Sequence, residues 1–182
     1  YEIYVRARNG EKMSEWSAKS VKIHTLCNAF AVTDENSFIE SFESYAVDAQ
    51  IFGCWMPTTS GYYTIKNTFD AKKYYKDKDF NTKNETITVI PKSGERMLYK
   101  DGGNNVWLMM PLALDGGKNY SVSAYVRDCH NTSEAKYSEL SVSFAVGTST
   151  DINSAQVILN KHVVAEFAEE WEQVTGYFSV KE

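Results

Sequence analysis

Apolar and polar side chains alternate along much of this chain, and the alternation predicts a protein built from β-strands. The pattern is clearest in the segments YSVSAYVRD, SELSVSFAVGTS and EEWEQVTGYFSV, while TITVIP and ERMLYKD add two shorter candidates. A period of two residues is typical of a strand with one buried and one solvated face. The positions predicted to face inward are Val122, Ala124, Val126, Leu140, Val142, Phe144, Val146, Val174, Phe178 and Val180.

The stretch NVWLMMPLAL is apolar on both faces, so we expect it to be covered on both sides. Pro111 lies within it and predicts a bulge or a sheet edge, because proline has no N–H to donate to a neighbouring strand. The sequence DGGKN then turns the chain. The side chains of this stretch that we assign to the core are Trp107, Leu108, Leu112 and Leu114.

Four further segments complete the pattern. YEIYVRA and VKIHTL alternate, and Asn9-Gly10 marks a turn in the loop between them, which predicts a hairpin with a long loop. A strand is expected around residues 38–42. The stretch QVILNKHVVAEFAEEW fits either a strand followed by a loop or a short helix.

Many short strands at near-regular spacing, separated by glycine turns, predict an all-β protein with an antiparallel β-sandwich, with a β-barrel as the alternative. Apolar residues make up 43% of the 182 residues and aromatic residues 14%, which favours a packed core rich in strands. The net charge of −5 argues against nucleic acid as a partner, since phosphate-binding domains carry a basic face.

The ends and the apolar runs bear on location. No apolar run reaches the length of a transmembrane helix, so we expect no membrane span in this segment. The chain begins without Met and without the pattern of a signal peptide, which is typical of an excised or mature segment.

The three cysteines are Cys27, Cys54 and Cys129, and their spacing matches no zinc motif. Three buried free thiols are the simplest expectation, because cysteine behaves as a small apolar side chain. If one disulfide forms, the expected pair is Cys54–Cys129. No local signature places a histidine beside any of them, so a catalytic cysteine is not indicated.

Residues 1–26 resemble the last two strands of a fibronectin type III domain. The resemblance rests on Tyr4-Val5-Arg6-Ala7, on Ser14-Glu15-Trp16-Ser17 and on a closing strand that ends at Thr25. An isolated hairpin is marginally stable in water. The resemblance therefore implies that these strands belong to a longer natural chain or pack on the next domain.

Four motifs follow one another over residues 37–182: FIESFE followed by GCW, then WLMMPLALDGGKNY, then a strand ending in VGTS, then WEQVT. In this order they resemble a jelly-roll module of the MAM-like group, which includes cleaved-adhesin domains of secreted bacterial proteases and choice-of-anchor J domains of bacterial surface proteins. The family's last strands are not found, so the resemblance implies a module truncated at its C-terminus. The predicted division is a fibronectin-like piece at 1–26, a linker at 27–36 and the jelly roll at 37–182.

The resemblance also implies a metal site. In related jelly rolls a carboxylate on the first strand helps to hold a structural calcium ion, which prefers carboxylate and carbonyl oxygens. Glu43 matches that position, and Glu40, on the opposite pleat, is the weaker candidate. The alternative for Glu43 is a solvated charge at a sheet edge.

Residues 55–80 interleave aromatic rings with lysines and are the best candidate for a recognition segment. Tyrosine and tryptophan bury a large area and still form hydrogen bonds, and flat rings can stack on sugars. The alternative is that half of these rings point into the core while the lysines stay solvated. The candidate ligand-binding residues are Trp55, Tyr62, Tyr63, Tyr74 and Tyr75.

No catalytic motif for a serine hydrolase, zinc protease, P-loop or dinucleotide enzyme occurs, and no spacing selects a pair of carboxylates for glycoside hydrolysis. We therefore expect a non-catalytic adhesion or binding module, secreted or at the cell surface, that recognises a glycan or a host or matrix protein. One alternative is an accessory domain that targets a larger secreted protease or glycosidase to its substrate. The other is a structural spacer.

Overall fold

The computed structural model describes residues 2–3, 8–9, 11–16, 21–22, 27–50, 53–103, 105–129, 141–164 and 170–182. Within these ranges the regular structure consists of β-strands and one 3-10 turn at Ile152–Ser154. The predicted all-β class, with antiparallel pairing consistent with a sandwich, is confirmed. Jelly-roll connectivity and the fibronectin identity of residues 1–26 stay predictions.

Sixteen strands are present in the described ranges. They are β1 (Glu2–Ile3), β2 (Arg8–Asn9), β3 (Lys12–Met13), β4 (Val21–Lys22), β5 (Phe30–Val32), β6 (Met56–Pro57), β7 (Tyr63–Lys66), β8 (Phe69–Lys76), β9 (Thr82–Val89), β10 (Met97–Lys100), β11 (Leu108–Met109), β12 (Leu112–Leu114), β13 (Asn119–Val126), β14 (Ser141–Val146), β15 (Gln156–Val163) and β16 (Glu172–Ser179).

The strands pair antiparallel, with one exception in the described residues. The longest pairs are β8 with β9 and β13 with β16, each with eight residue pairs in continuous register. β14 pairs with β15 with two shifts of register, one between Val142 and Phe144 and one between Phe144 and Ala145. β1 pairs with β4, which agrees with the hairpin predicted from the N-terminal alternation, and residues 4–7 and 23–26 of that hairpin lie outside the described residues. β2 pairs with β3 within the segment that was predicted to be a loop, so that part of the prediction is wrong. The exception is β12, which runs parallel to β5.

The pair β13–β16 packs one face against β14 and β15. Gly176 on β16 permits this close approach, because a Cβ atom there would lie 3.3 Å from Ile158 Cδ1 and 3.4 Å from Phe144 Cδ2. Val174 lies on the same face of β16 and is buried. The ring of Phe178 stacks on that of its cross-strand partner Tyr120, with centroids 5.5 Å apart. The side chains on the opposite face of β13–β16 are exposed, except for the half-buried Thr175.

A second core forms around β7, where Tyr63 and Ile65 are buried. The half-buried side chains packed against these two come mainly from residues 42–50 and 53–62 and from β10 and β11. They are Phe42, Tyr45, Ala49, Trp55, Tyr62, Leu98, Val106 and Leu108.

Pro111 divides the apolar stretch as expected, since it lies between β11 and β12. Its carbonyl oxygen accepts a hydrogen bond from the N–H of Phe30 at 3.2 Å. The prediction that this stretch is covered on both sides is wrong at Leu112, which is exposed. Trp107, Leu108 and Leu114 are half-buried.

The other positions predicted to face inward differ in how deeply they are buried. Val174 is buried, and Ala124, Val126, Val142, Phe144, Val146, Phe178 and Val180 are half-buried. Val122 lies on the inner face of β13 but is 36% exposed, so its assignment to the interior is wrong. Leu140 lies outside the described residues. The stretch QVILNKHV forms β15, so the strand predicted at the start of this segment is confirmed, while residues 165–169 lie outside the described residues.

The strand predicted at residues 38–42 is not present. That segment has no regular structure and leads into a turn at 43–44; Phe42 has a φ of 63° and Ile39 is exposed. The strand in this region is instead β5, which lies within the predicted linker 27–36 and pairs with β12. The apolar spacing that suggested a strand comes from rings that pack on Trp55. The ring centroids of Phe38 and Phe42 each lie 6.1 Å from that of Trp55.

The predicted cysteine states are wrong for two of the three residues. Cys27 and Cys54 form a disulfide with their Cα atoms 5.4 Å apart, and Cys129 is the free thiol. Neither three free thiols nor the pair Cys54–Cys129 is found. The disulfide joins the start of the β5 segment to the turn that carries Trp55.

Candidate binding face and the predicted site residues

Three of the predicted ligand-binding residues, Trp55, Tyr62 and Tyr63, belong to the core around β7. Tyr63 is only 8% exposed, and its hydroxyl donates to the carbonyl oxygen of Val106 at 2.8 Å. Burial raises the pKa of Tyr63 to about 12. A ring in this position stabilises the fold and presents no surface to a ligand.

Trp55 is fixed by a carboxylate. Its indole N–H donates to Glu40 Oε2 at 2.9 Å, and the hydroxyl of Tyr45 donates to the same oxygen at 3.1 Å. The other oxygen of Glu40 accepts the N–H of Phe42 at 2.7 Å. Burial, and then the charge of Glu40, raise the pKa of Tyr45. Glu40 therefore organises the turn, and Trp55 serves the same local core.

Glu43, the predicted calcium ligand, holds a neighbouring loop. Its Oε1 accepts the backbone N–H groups of Glu95 and Arg96, both at 2.9 Å. Gly94 has a φ of 66° and lies so close that a Cβ atom there would collide with the Glu43 carboxylate. Two N–H donors aimed at one oxygen do not fit a cation at that oxygen. Within the described ranges, no three His, Cys, Asp or Glu side chains converge on a common metal position. Calcium stays a prediction from the resemblance.

The remaining predicted residues lie on the hairpin β8–β9, apart from the core around β7. Tyr74 is half-buried and pairs with Asn84, and the backbone of Tyr75 pairs with that of Lys83. The side chain of Tyr75 lies outside the described residues. The predicted set is thus divided between two places, so it does not form one site.

The tip of this hairpin presents an aromatic ring that the prediction missed. Phe80 is 83% exposed and has a φ of 60°. Asp77 holds the turn, because its Oδ1 accepts the N–H groups of Asp79 and Asn81, both at 2.9 Å. The ring is isolated at the tip, since no described aromatic side chain stacks on it.

The outward face of β13–β16 carries a set of aromatic, hydroxyl and amide side chains. In an antiparallel pair, residues directly opposite each other share a face, as do alternate residues along a strand. The register therefore places eight side chains on the solvent face, which we call the tyrosine face. They are Asn119, Ser121, Ser123 and Tyr125 from β13 and Gln173, Thr175, Tyr177 and Ser179 from β16.

The tyrosine face is uncharged and open. None of its residues is Asp, Glu, Lys, Arg or His, in a chain in which 24% of residues are charged. Tyr177 is 75% exposed and Tyr125 is 48% exposed. Solvated faces of sheets usually carry charges, so two exposed rings among hydroxyl and amide groups indicate a surface suited to recognition.

The polar groups of this face make short contacts across the two strands. The Ser179 hydroxyl donates to Asn119 Oδ1 at 2.6 Å, and the Tyr125 hydroxyl lies 3.4 Å from Gln173 Oε1. At one border, the ammonium of Lys92 lies 5.2 Å from the centre of the Tyr125 ring. This cation–π contact holds the Tyr125 ring in place.

Sequence reasoning placed Val122, Ala124 and Val126 inward and so assigned Tyr125 to the outer face, but it did not consider that face as a site. The available signal was the lack of charge at alternate positions of two strands. Recognising it also required the pairing of β13 with β16, which lie about 50 residues apart in sequence and whose register is not readable from either strand alone.

Two groups with reactive side chains do not indicate catalysis. Nε2 of His162 on β15 lies 2.6 Å from Glu172 Oε1 on β16, which joins the two strands. Burial raises the pKa of the Cys129 thiol by more than the charge of Arg127 lowers it. A raised pKa disfavours the thiolate, which is the nucleophilic form.

No protein-family model, curated protein or solved structure matches this chain. Among the described residues, no helix has the length and apolar character needed to cross a membrane.

Proposed function

We propose that this chain is a non-catalytic binding module that recognises a glycan through the tyrosine face. The observation that carries the proposal is the pair of exposed rings, Tyr125 and Tyr177, on one face of a two-stranded pair whose other outward groups are hydroxyls and amides. Sugars offer apolar C–H faces and many hydroxyl groups. Rings that stack and short polar groups that donate and accept complement both features.

The uncharged character of the face favours a sugar over an acidic or basic protein surface. Electrostatic complementarity guides many protein partners, and it needs charged groups on both sides. The tyrosine face supplies none, apart from Lys92 at its border. A host or matrix protein stays the alternative ligand within this function, as the resemblance to adhesin domains suggests.

The Cys27–Cys54 disulfide supports a secreted or cell-surface location for the module. Disulfides persist in oxidising compartments and are rare in the cytosol. The resemblance to domains of bacterial surface proteins and secreted proteases agrees with this location. A targeting domain of a larger enzyme would use the same face, and a catalytic domain in the flanking sequence would identify it. A spacer would show no saturable ligand.

A glycan array tests the proposal. We expect the wild-type chain to give specific, saturable hits that are lost in Tyr177→Ala. Phe80→Ala is the matched control, because it removes an equally exposed ring from the hairpin tip and should leave the hits unchanged. Equal loss in both variants, or no hit for the wild type, would contradict the proposal.

A further inference from the structure

The register of β13 and β16 points to the shape of the ligand. We infer that it is an extended, uncharged oligosaccharide that runs along the strands and bridges the rings of Tyr177 and Tyr125. This inference rests on the proposed function and makes it more specific. The two rings act as separate stacking positions on one chain.

The spacing of the two rings follows from the pairing. Tyr177 lies directly opposite Ser121, and Tyr125 follows Ser121 on the same face after four residues of β13. At ~3.4 Å per residue, the two ring positions are about 14 Å apart along the strand direction. A single sugar unit does not span this distance, so one ligand touches both rings only as a chain of several units.

The surface between the rings is low and polar. The pair Ser123 and Thr175 lies between the two tyrosine positions and carries short side chains. Neither hydroxyl makes a side-chain hydrogen bond to another described residue. A sugar chain stacked on both rings therefore passes over hydroxyl groups that are able to donate and accept hydrogen bonds. A compact ligand of one or two units would leave one ring or this middle pair unused.

The two rings differ in how freely a ligand can reach them, and this difference decides which ring is the primary stacking position. Tyr177 has the more exposed side chain, while Lys92 lies over the ring of Tyr125. We therefore assign the primary stacking position to Tyr177 and the second position to Tyr125. The absence of formal charge on the eight side chains makes a neutral sugar the favoured class, because a uronic or sulfated chain would find no cation between the rings.

Bridging makes affinity depend on ligand length. Once the first ring is engaged, the second contact is intramolecular and adds affinity without a second encounter. We expect the affinity for a neutral series to rise on the order of 100-fold between oligomers too short to bridge and the first that bridges, and then to level off.

Isothermal titration with cello-, malto- and manno-oligosaccharides of increasing length tests this inference, with the array hits deciding which series is extended. In Tyr125→Ala, binding of short oligomers should persist while the rise with length disappears. In Tyr177→Ala, the binding of oligomers of every length should weaken. Ser44→Ala, an exposed serine outside the face, is the control and should match the wild type.

The outcomes separate the two proposals. If short and long neutral oligomers bind the wild type equally, or if only charged glycans bind, the bridging inference is overturned and the glycan-binding function stands. If Tyr125→Ala weakens short and long oligomers by the same factor, the two rings are one position and the inference also fails. If no glycan of any length or charge binds, the proposed function itself fails.

Discussion

The indole N–H of Trp55 and the carboxylate of Glu40 are joined by a 2.9 Å hydrogen bond that fixes a turn without regular secondary structure. The same carboxylate accepts the hydroxyl of Tyr45 and the backbone N–H of Phe42. One acidic side chain thus satisfies three donors. This explains why an acidic, aromatic motif that resembles the opening of a jelly roll forms a packed turn here.

Loss of this carboxylate should destabilise the fold. Glu40→Ala leaves the donors of Trp55, Tyr45 and Phe42 without their acceptor, and we expect the free energy of unfolding to fall by about 2 kcal/mol, since a buried donor left unsatisfied costs ~1–3 kcal/mol. Urea unfolding measures the change. Glu95→Ala is the control, because that exposed side chain should contribute less than about 0.5 kcal/mol. Equal stability of the two variants would contradict the role given to Glu40.

The disulfide should contribute more than any single hydrogen bond. The double variant Cys27→Ser/Cys54→Ser opens a link across a sequence separation of 27 residues. Loss of the constraint on the unfolded chain should lower the free energy of unfolding by about 3 kcal/mol. Cys129→Ser, which removes the free thiol, should have a much smaller effect. Thiol titration of the denatured chain from oxidising expression should find one free thiol, and a count of three would contradict the pairing.

Stability should fall at high pH partly because of Tyr63. Its pKa in the folded chain is about 12, against 10.0 for an unperturbed tyrosine. Between these two values the ring ionises in the unfolded chain and not in the folded one, which favours the unfolded state. Stability from Tyr63 is therefore complete below pH 10.0 and is lost as pH rises towards about 12. Burial also raises the pKa of Tyr45 and Tyr99, so part of the slope will remain in Tyr63→Phe.

The measurement for Tyr63 is urea unfolding of the wild type and of Tyr63→Phe at a series of alkaline pH values. Tyr63→Phe should show a shallower loss of stability with rising pH than the wild type. Identical slopes for Tyr63→Phe and the wild type would show that Tyr63 ionises equally easily in both states.

The hairpin tip should be stabilised by glycine. Phe80 has a φ of 60°, which is unfavourable for a residue with a Cβ atom, and its ring is exposed. The free energy of unfolding of Phe80→Gly should be about 1 kcal/mol higher than that of Phe80→Ala, because the two variants differ only in whether a Cβ atom occupies this backbone conformation. Thermal and urea unfolding compare them directly. A more stable alanine variant would contradict the backbone conformation of the turn.

The strands that were predicted well are those whose pattern reflects burial on one side. β13, β14 and β16 alternate because one face packs on another strand pair, as Val174 and Gly176 show. The strand predicted at residues 38–42 failed because the same spacing arises when rings pack around Trp55 in a turn. Periodicity records which side chains are buried, and it does not record whether the backbone is paired.

The candidate site was less predictable than the fold. Trp55, Tyr62 and Tyr63 attracted attention as a cluster of aromatic residues, but their type does not reveal whether they lie inside or outside. Nothing in the sequence of β16 alone marks Tyr177 as a site residue. Its pairing with Ser121 on a distant segment is what places it on the same face as Tyr125. The disulfide has the same character, since three cysteines permit several pairings and their sequence spacing selects none.

Titration of the strongest array hit against the wild type, Tyr177→Phe and Tyr177→Ala tests the central claim most directly. The proposed binding contact is the ring of Tyr177 and not its hydroxyl. Tyr177→Phe should therefore keep most of the affinity, and Tyr177→Ala should lose at least on the order of ten-fold, a loss of ~1.4 kcal/mol. All three proteins should unfold at similar urea concentrations, because the side chain is exposed. Equal affinity of Tyr177→Ala and the wild type would contradict the tyrosine face as the binding site.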